Sequence, residues 1–388
     1  MTTTAATAAT EWQALSSHIN RWFYKADIQA LSCILAACAA HYDLTSPPVW
    51  LFVVGPSSSG KTRICVDPLE SLSHVWPMGD LTSKTFISAF ADYKGLLFDI
   101  KESGILTFKD FTTTLSKRED ERAEIAAQLR EIYDGKFTRR TGVDAGATWR
   151  GKITIVAGAT EALERAWSIK RELGERFLII RWPSTSDRIG LRLAASQRGR
   201  DPEISKQLQL HCVRFIQMRE PKMPDVPEVM IDRLACYAQL LAIMRGQVIR
   251  ESSNGHQIID APVVEDAYRI HKSLCTLVAS HAALWHREPC EEDLAIGRRA
   301  ALDSIPKSRR AVFECFRSLA PLTAADIQRL TRLPYSSIEW TGGELKALGV
   351  LLEMSKGEQS EYSVTPELTE LMLSAGITDL TPVFPPLA

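Results

Sequence analysis

The stretch WLFVVGPSSSGKTRI, residues 50–64, decides how the chain folds. An apolar run, Leu51 to Val54, stops at Gly55, and Gly60, Lys61 and Thr62 follow after four intervening residues. This is the spacing G-x-x-x-x-G-K-[ST], in which a buried strand feeds a tight turn and a helix then opens. The turn residues Pro56, Ser57, Ser58 and Ser59 are small, so backbone N–H groups can close around an anion, and the helix start adds positive field. Pro56 lacks an N–H and only stiffens the entry. Lys61 is expected to meet the β- and γ-phosphates of a nucleoside triphosphate, and the Thr62 hydroxyl to hold Mg²⁺. Gly55 through Thr62 are therefore the expected nucleotide-binding segment.

Composition sets the frame around that loop. A chain of 388 residues has material for two or three domains, and 45% apolar with 24% charged residues is ordinary for a globular protein. The net charge of −1 advertises no nucleic-acid partner globally, so any basic surface must be local. Eight cysteines stand singly with no C-x-x-C pair, which fits reduced, buried thiols in a cytoplasmic protein. The start, MTTTAATAATEW, lacks a basic-then-apolar signal pattern, and no apolar run approaches membrane-spanning length, so no membrane partner is expected.

Helical periodicity covers residues 12–44, and LTSPP then breaks it before the loop strand. Further apolar runs, GILTFKDF (104–111), ITIVAGAT (153–160) and RFLIIRW (176–182), alternate with helical segments, which predicts an α/β domain with a parallel sheet. KFTRRTGVDAGATWRGK, 136–152, has the pattern of a β-hairpin. From about residue 200 to 300 the strand signal vanishes in favour of helices. Three helices and a strand pair follow from about 306, the order of a winged helix. The expected layout is a helical segment over 1–44, an α/β core over 45–198, a helical lid over 199–303, a winged helix over 304–372 and a tail over 373–388.

The order of phosphate loop, acidic strand, strand with a polar end, GERF, helical region and winged helix resembles AAA+ ATPases over roughly residues 45–370. Within them it looks most like MCM-type helicases and the helicase-like proteins of bacterial mobile elements and phages. The resemblance implies a P-loop AAA+ parallel sheet with helices on both faces, ATP and Mg²⁺ as cofactors, and a homo-oligomer, a ring or filament with six copies the expected number. It also implies DNA as a partner, together with other replication, recombination or defence proteins. ATP is preferred over GTP by the resemblance and by the lack of an [NT]-K-x-D guanine motif.

In that family an apolar strand ends Asp-Glu, one acid ordering the metal's water shell and the other polarising the attacking water. Here the strand ends Lys109-Asp110. Either Asp110 takes the water-activating place and a Lys replaces the metal-side acid, or Asp110 is the Mg²⁺-side acid and Phe111 occupies the catalytic place. A rival stretch, GLLFDIKE, offers Asp99 and Glu102 but stands close to the preceding helix. Thr160 matches the sensor position near the γ-phosphate and equally suits capping the helix that follows. By its place in LGERFLIIR, Arg176 matches the arginine finger delivered to a neighbouring copy's γ-phosphate, with Arg171 as runner-up. Arg269 in EDAYRIHKSL matches a nucleotide-sensing arginine of the helical lid.

The family places a hairpin in its DNA channel, so Lys136, Arg139 and Arg140 are expected to neutralise phosphates and Trp149 to offer a stacking face. In the winged helix, Ser336 and Ser337 at the start of the third helix, with Arg332, Lys346 and Lys356, are the expected DNA contacts, although five nearby glutamates also suit a protein partner. His281, His286 and Cys290 form no metal quartet, and no G-x-S-x-G nucleophile is present. An ATP-driven motor on DNA is the first functional expectation. An ATP-gated assembly or regulatory protein, favoured by the altered acidic motif, is the second.

Overall fold

The computed structural model describes residues 3–87, 95–141, 144–165, 176–184, 187–251, 257–356 and 359–378. The chain divides into two compact units, one of residues 1–226 and 272–300 and the other of 227–271 and 301–388. Each is described by itself.

The first unit is built on five parallel strands: β1 (Trp50–Val54), β2 (Val75–Met78), β3 (Ser103–Phe108), β6 (Lys152–Ala159) and β7 (Phe177–Arg181). Their order across the sheet is β2-β3-β6-β1-β7, and every pairing is parallel. Between β3 and β6 a separate antiparallel hairpin is formed by β4 (Lys136–Thr141) and β5 (Asp144–Arg150). The continuous apolar run of β1 is explained by burial on both faces. Trp50, Phe52 and Val54 join one core cluster with Ile125, Leu129 and Ile132 of the helix Glu119–Tyr133. The helix Ile28–His41 packs against β1, β3, β6 and β7.

That helix has no polar face: every residue from Ala30 to His41 is buried. Asp27 caps its start by accepting from the Ala30 N–H at 2.9 Å. At its end the Lys152 ammonium donates to the carbonyls of Ala40 and Asp43 at 2.6 Å each, where cations suit the helix dipole. The second helix of residues 1–44 is thus part of the layer that covers the sheet. The helix Asp201–Gln217 also belongs to this unit, packed on the helix Thr3–Trp22 and the short 3₁₀ turn Asp67–Ser71, so the units divide the chain elsewhere than at residue 199.

In the second unit the helix Glu228–Arg245 packs on the helix Pro366–Ala375. The helices Lys307–Glu314, Ala324–Thr331 and Tyr335–Ala347 accompany an antiparallel sheet of β8 (Leu322–Thr323), β10 (Gln359–Val364) and β9 (Leu351–Lys356), in that spatial order. A capping box, with Thr323 and Asp326 exchanging hydrogen bonds, opens the second of these helices. Among the described residues no helix is long and apolar enough to cross a membrane.

Candidate nucleotide site

The strand order reverses direction at β1. Chain leaving β1 travels toward β2 at one edge, whereas chain leaving β6 passes over to β7 on the other side of β1. At such a reversal, the carboxyl ends of neighbouring strands stand apart and a ligand can enter. The loop Gly55–Gly60 lies there.

Gly55 is required by crowding: a Cβ on it would stand 2.6 Å from the Trp182 carbonyl oxygen. Further on, Ser58 (φ 60°) and Gly60 (φ 82°) turn the backbone through the left-handed region, and the helix Lys61–Cys65 begins without a side-chain cap. Among the described residues, none accepts from the backbone N–H groups of Ser58 through Thr62. A run of free donors at a helix start is the standard setting for an anion.

Lys61 is buried, 7% exposed, and its ammonium donates to the Pro56 carbonyl at 3.0 Å. Burial lowers its pKa, and the charge of Asp110 opposes that shift. The Ser59 hydroxyl donates to the same Pro56 carbonyl at 2.8 Å, and the Trp182 indole donates to the Ser59 carbonyl at 3.0 Å. The loop is thus held by its own side chains and by the residue that follows β7.

Thr62 reaches across to the end of β3, its hydroxyl donating to the Lys109 carbonyl at 3.4 Å. Asp110 is exposed and accepts from the Thr112 N–H at 2.9 Å in a local turn. The hydroxyls of Thr112 and Thr160 stand 3.3 Å apart, and the Thr160 N–H donates to Thr112 at 3.4 Å. Thr160 also accepts from the Ala162 N–H at 3.4 Å, so it takes part in capping the short helix Ala162–Arg165. Thr112 went unnoticed in the sequence; its only signal is its place two residues beyond Asp110.

Lys109 points its chemistry elsewhere. Its ammonium lies 3.2 Å from Asp67 and 3.1 Å from Glu70, both on the 3₁₀ turn after the loop helix. Phe111 is buried, packed against Phe52 and Phe108, and offers no polar group. Glu102 precedes β3 and its carbonyl accepts from Lys152 at the start of β6, so the rival acids Asp99 and Glu102 stand at the opposite end of the strands from the loop.

The other expected residues have surroundings of their own. Arg176 is 8% exposed, with its guanidinium 3.4 Å from Asp134 and 5.6 Å from the Tyr133 ring centroid. Arg171 lies outside the described residues. In the hairpin, Lys136 is exposed, and the side chains of Arg139 and Arg140 lie outside the described residues. Trp149 is no stacking face: it is buried at 3% exposure beside Phe137, and its indole donates to the Lys101 carbonyl. In the second unit, Arg269 is half-buried on the helix Tyr268–Leu284. Ser336 and Ser337 stand in the first turn of the helix Tyr335–Ala347, but neither caps it. Lys346 pairs with Glu353, Arg332 is exposed, and the Lys356 side chain lies outside the described residues.

These residues fit a magnesium triphosphate. Free N–H donors and a buried ammonium suit the phosphates, and a hydroxyl beside one carboxylate suits Mg²⁺, which keeps several waters and takes few protein ligands. Among the described residues there is no group of three or more His, Cys, Asp or Glu placed to hold a metal. No protein-family model matches the chain, and no curated protein matches it.

Proposed function

We propose that the chain binds ATP with Mg²⁺ at the loop Gly55–Thr62 and hydrolyses it as a cytoplasmic, homo-oligomeric AAA+ protein acting on DNA, in the manner of an MCM-like helicase or translocase of a mobile element or phage. One observation carries the nucleotide half: the free N–H run Ser58–Thr62, next to the buried Lys61, at the point where the strand order reverses. The bound metal supplies charge neutralisation at the transferring phosphoryl group. With nucleotide bound, Lys61 would meet phosphate in place of the Pro56 carbonyl, and the Thr62 hydroxyl would help to hold the metal. Asp110 accepts the proton of the attacking water, and Thr112 with Thr160 orients that water through their shared hydroxyl contact.

The DNA half rests on the resemblance, on the exposed Lys136 at the hairpin and on helices with an antiparallel sheet at 307–364, which we read as a winged helix carrying Ser336, Ser337 and Lys346. Arg269 we assign to the lid over 199–303. Arg176 as a finger acting in trans requires its guanidinium to leave Asp134 and Tyr133. A second reading, an ATP-gated assembly or regulatory protein, is favoured by Lys109 standing where a metal-side acid would be.

ATP turnover measured with and without single- and double-stranded DNA, beside strand separation on a forked duplex, separates the two. DNA-stimulated turnover with unwinding supports the motor; tight ATP binding with negligible unwinding supports the gate. Lys61→Ala abolishes nucleotide binding under either. Arg176→Ala spares binding and removes turnover, and intact turnover in that variant refutes the finger.

A further inference from the structure

The charged cluster beside the loop has a role that the strand-end motif alone does not suggest. Lys109 follows β3 directly, and its carbonyl is the acceptor for the Thr62 hydroxyl at 3.4 Å. Its backbone is therefore at the metal side of the loop. Its ammonium, on a flexible four-carbon stem, is turned away to two carboxylates, Asp67 at 3.2 Å and Glu70 at 3.1 Å. Both carboxylates come from the 3₁₀ turn Asp67–Ser71, which follows the loop helix Lys61–Cys65 with only Val66 between. Loop, helix, turn and clamp are thus one short piece of chain folded back on the end of β3.

The fold-back is tight. A Cβ on Gly158 of β6 would stand 2.5 Å from the Lys109 carbonyl oxygen, so the backbone that carries Lys109 is pressed against the neighbouring strand. Only the side chain is free to choose where its charge goes. The ammonium and the two carboxylates together carry a net charge of −1, the same as the lone carboxylate that the motif has lost. An unclamped ammonium beside Thr62 would instead add a positive charge where Mg²⁺ must sit, and like charges at that distance exclude each other.

Building on the nucleotide reading above, we propose that Asp67 and Glu70 are positioning residues that hold the Lys109 ammonium away from the phosphates, so that Thr62 is left free to order Mg²⁺. Without the clamp, Lys109 acts as a tethered cation that competes with the metal for the nucleotide. The clamp thereby sets how strongly nucleotide binding depends on Mg²⁺, separately from the rate of hydrolysis.

The experiment is equilibrium binding of a fluorescent ATP analogue to the full chain, titrated with Mg²⁺ from a metal-free start. The variants are Asp67→Asn with Glu70→Gln, and the same pair with Lys109→Met. All three side chains are partly exposed and the first two changes keep shape, so folding is preserved. In the double variant, metal-free binding tightens, and the Mg²⁺ concentration for half-maximal enhancement rises by about fivefold to tenfold. Adding Lys109→Met brings it back to within about twofold of the natural chain. An unchanged Mg²⁺ dependence in the double variant overturns the proposal, as does failure of Lys109→Met to restore it. A natural chain that binds no analogue at any Mg²⁺ concentration, like Lys61→Ala, overturns the nucleotide reading and this proposal with it; binding that responds to Lys61→Ala but not to the clamp variants overturns the clamp alone.

Discussion

Two glycines show how little room the site leaves. Gly55 and Gly158 each lie so close to a neighbouring backbone that a methyl group would meet a carbonyl oxygen, that of Trp182 at 2.6 Å and that of Lys109 at 2.5 Å. Backbone cannot swing aside as a long side chain can, so Gly158→Ala must part β6 from the end of β3. We expect a loss of about 1–3 kcal/mol in denaturant unfolding, with weaker Mg²⁺-dependent nucleotide binding because Lys109, Asp110 and Thr112 move together. Retained stability in that variant would mean that the strand ends give way more easily than their packing suggests. Residue identity and spacing alone singled out Lys61 and Thr62. It was silent on Thr112, because a threonine after an acid is common and only the meeting of β3 with β6 brings it to Thr160.

Elements differ in what holds them. The helix Ile28–His41 is buried over nearly its whole length, whereas the helix Arg188–Ser196 buries no side chain and leaves Ile189 and Leu191 more than 60% exposed. A nine-residue helix has little stability of its own in water, since nucleation is costly and few hydrogen bonds offset it. Its visible support is the cap: Asp187 accepts from the N–H groups of Ile189 and Gly190 at 2.9 and 3.0 Å while also bonding the Tyr24 hydroxyl at 2.8 Å. Native-state hydrogen exchange over 188–196 is therefore expected to be at least about a hundredfold faster than over 28–41, and Asp187→Ala should speed it further. Equal protection of the two helices would contradict this. Periodicity over residues 12–44 marked the first helix but not the second, and an apolar pattern does not distinguish a face packed on a sheet from one left in solvent.

At the scale of the whole molecule, acid stability is tied to His41. The ring is buried between the sheet and its own helix, with the Thr154 hydroxyl 3.3 Å from Nδ1. Burial, then the charges of Lys152, His74 and Arg219, push its pKa down to about 3. Because the folded value lies below the unfolded one near 6.5, the unfolded chain binds more protons between them. Stability is complete above about pH 6.5 and declines toward pH 3, by at most about 1.4 kcal/mol per pH unit from this group. Chemical denaturation across that range should show the slope in the natural chain and a flatter one in His41→Gln; equal slopes would remove His41 as the cause. Alternating apolar strands and helices were enough to establish an α/β chain with a parallel sheet, since burial on both faces imposes a pattern that is local in sequence. Which acid faces Lys61, where Lys109 sends its charge, that Trp149 is core and that Arg176 lies against Asp134 were decided by tertiary structure alone. Those outcomes depend on which strand ends meet across the sheet, and residues far apart along the chain carry no mark of that meeting.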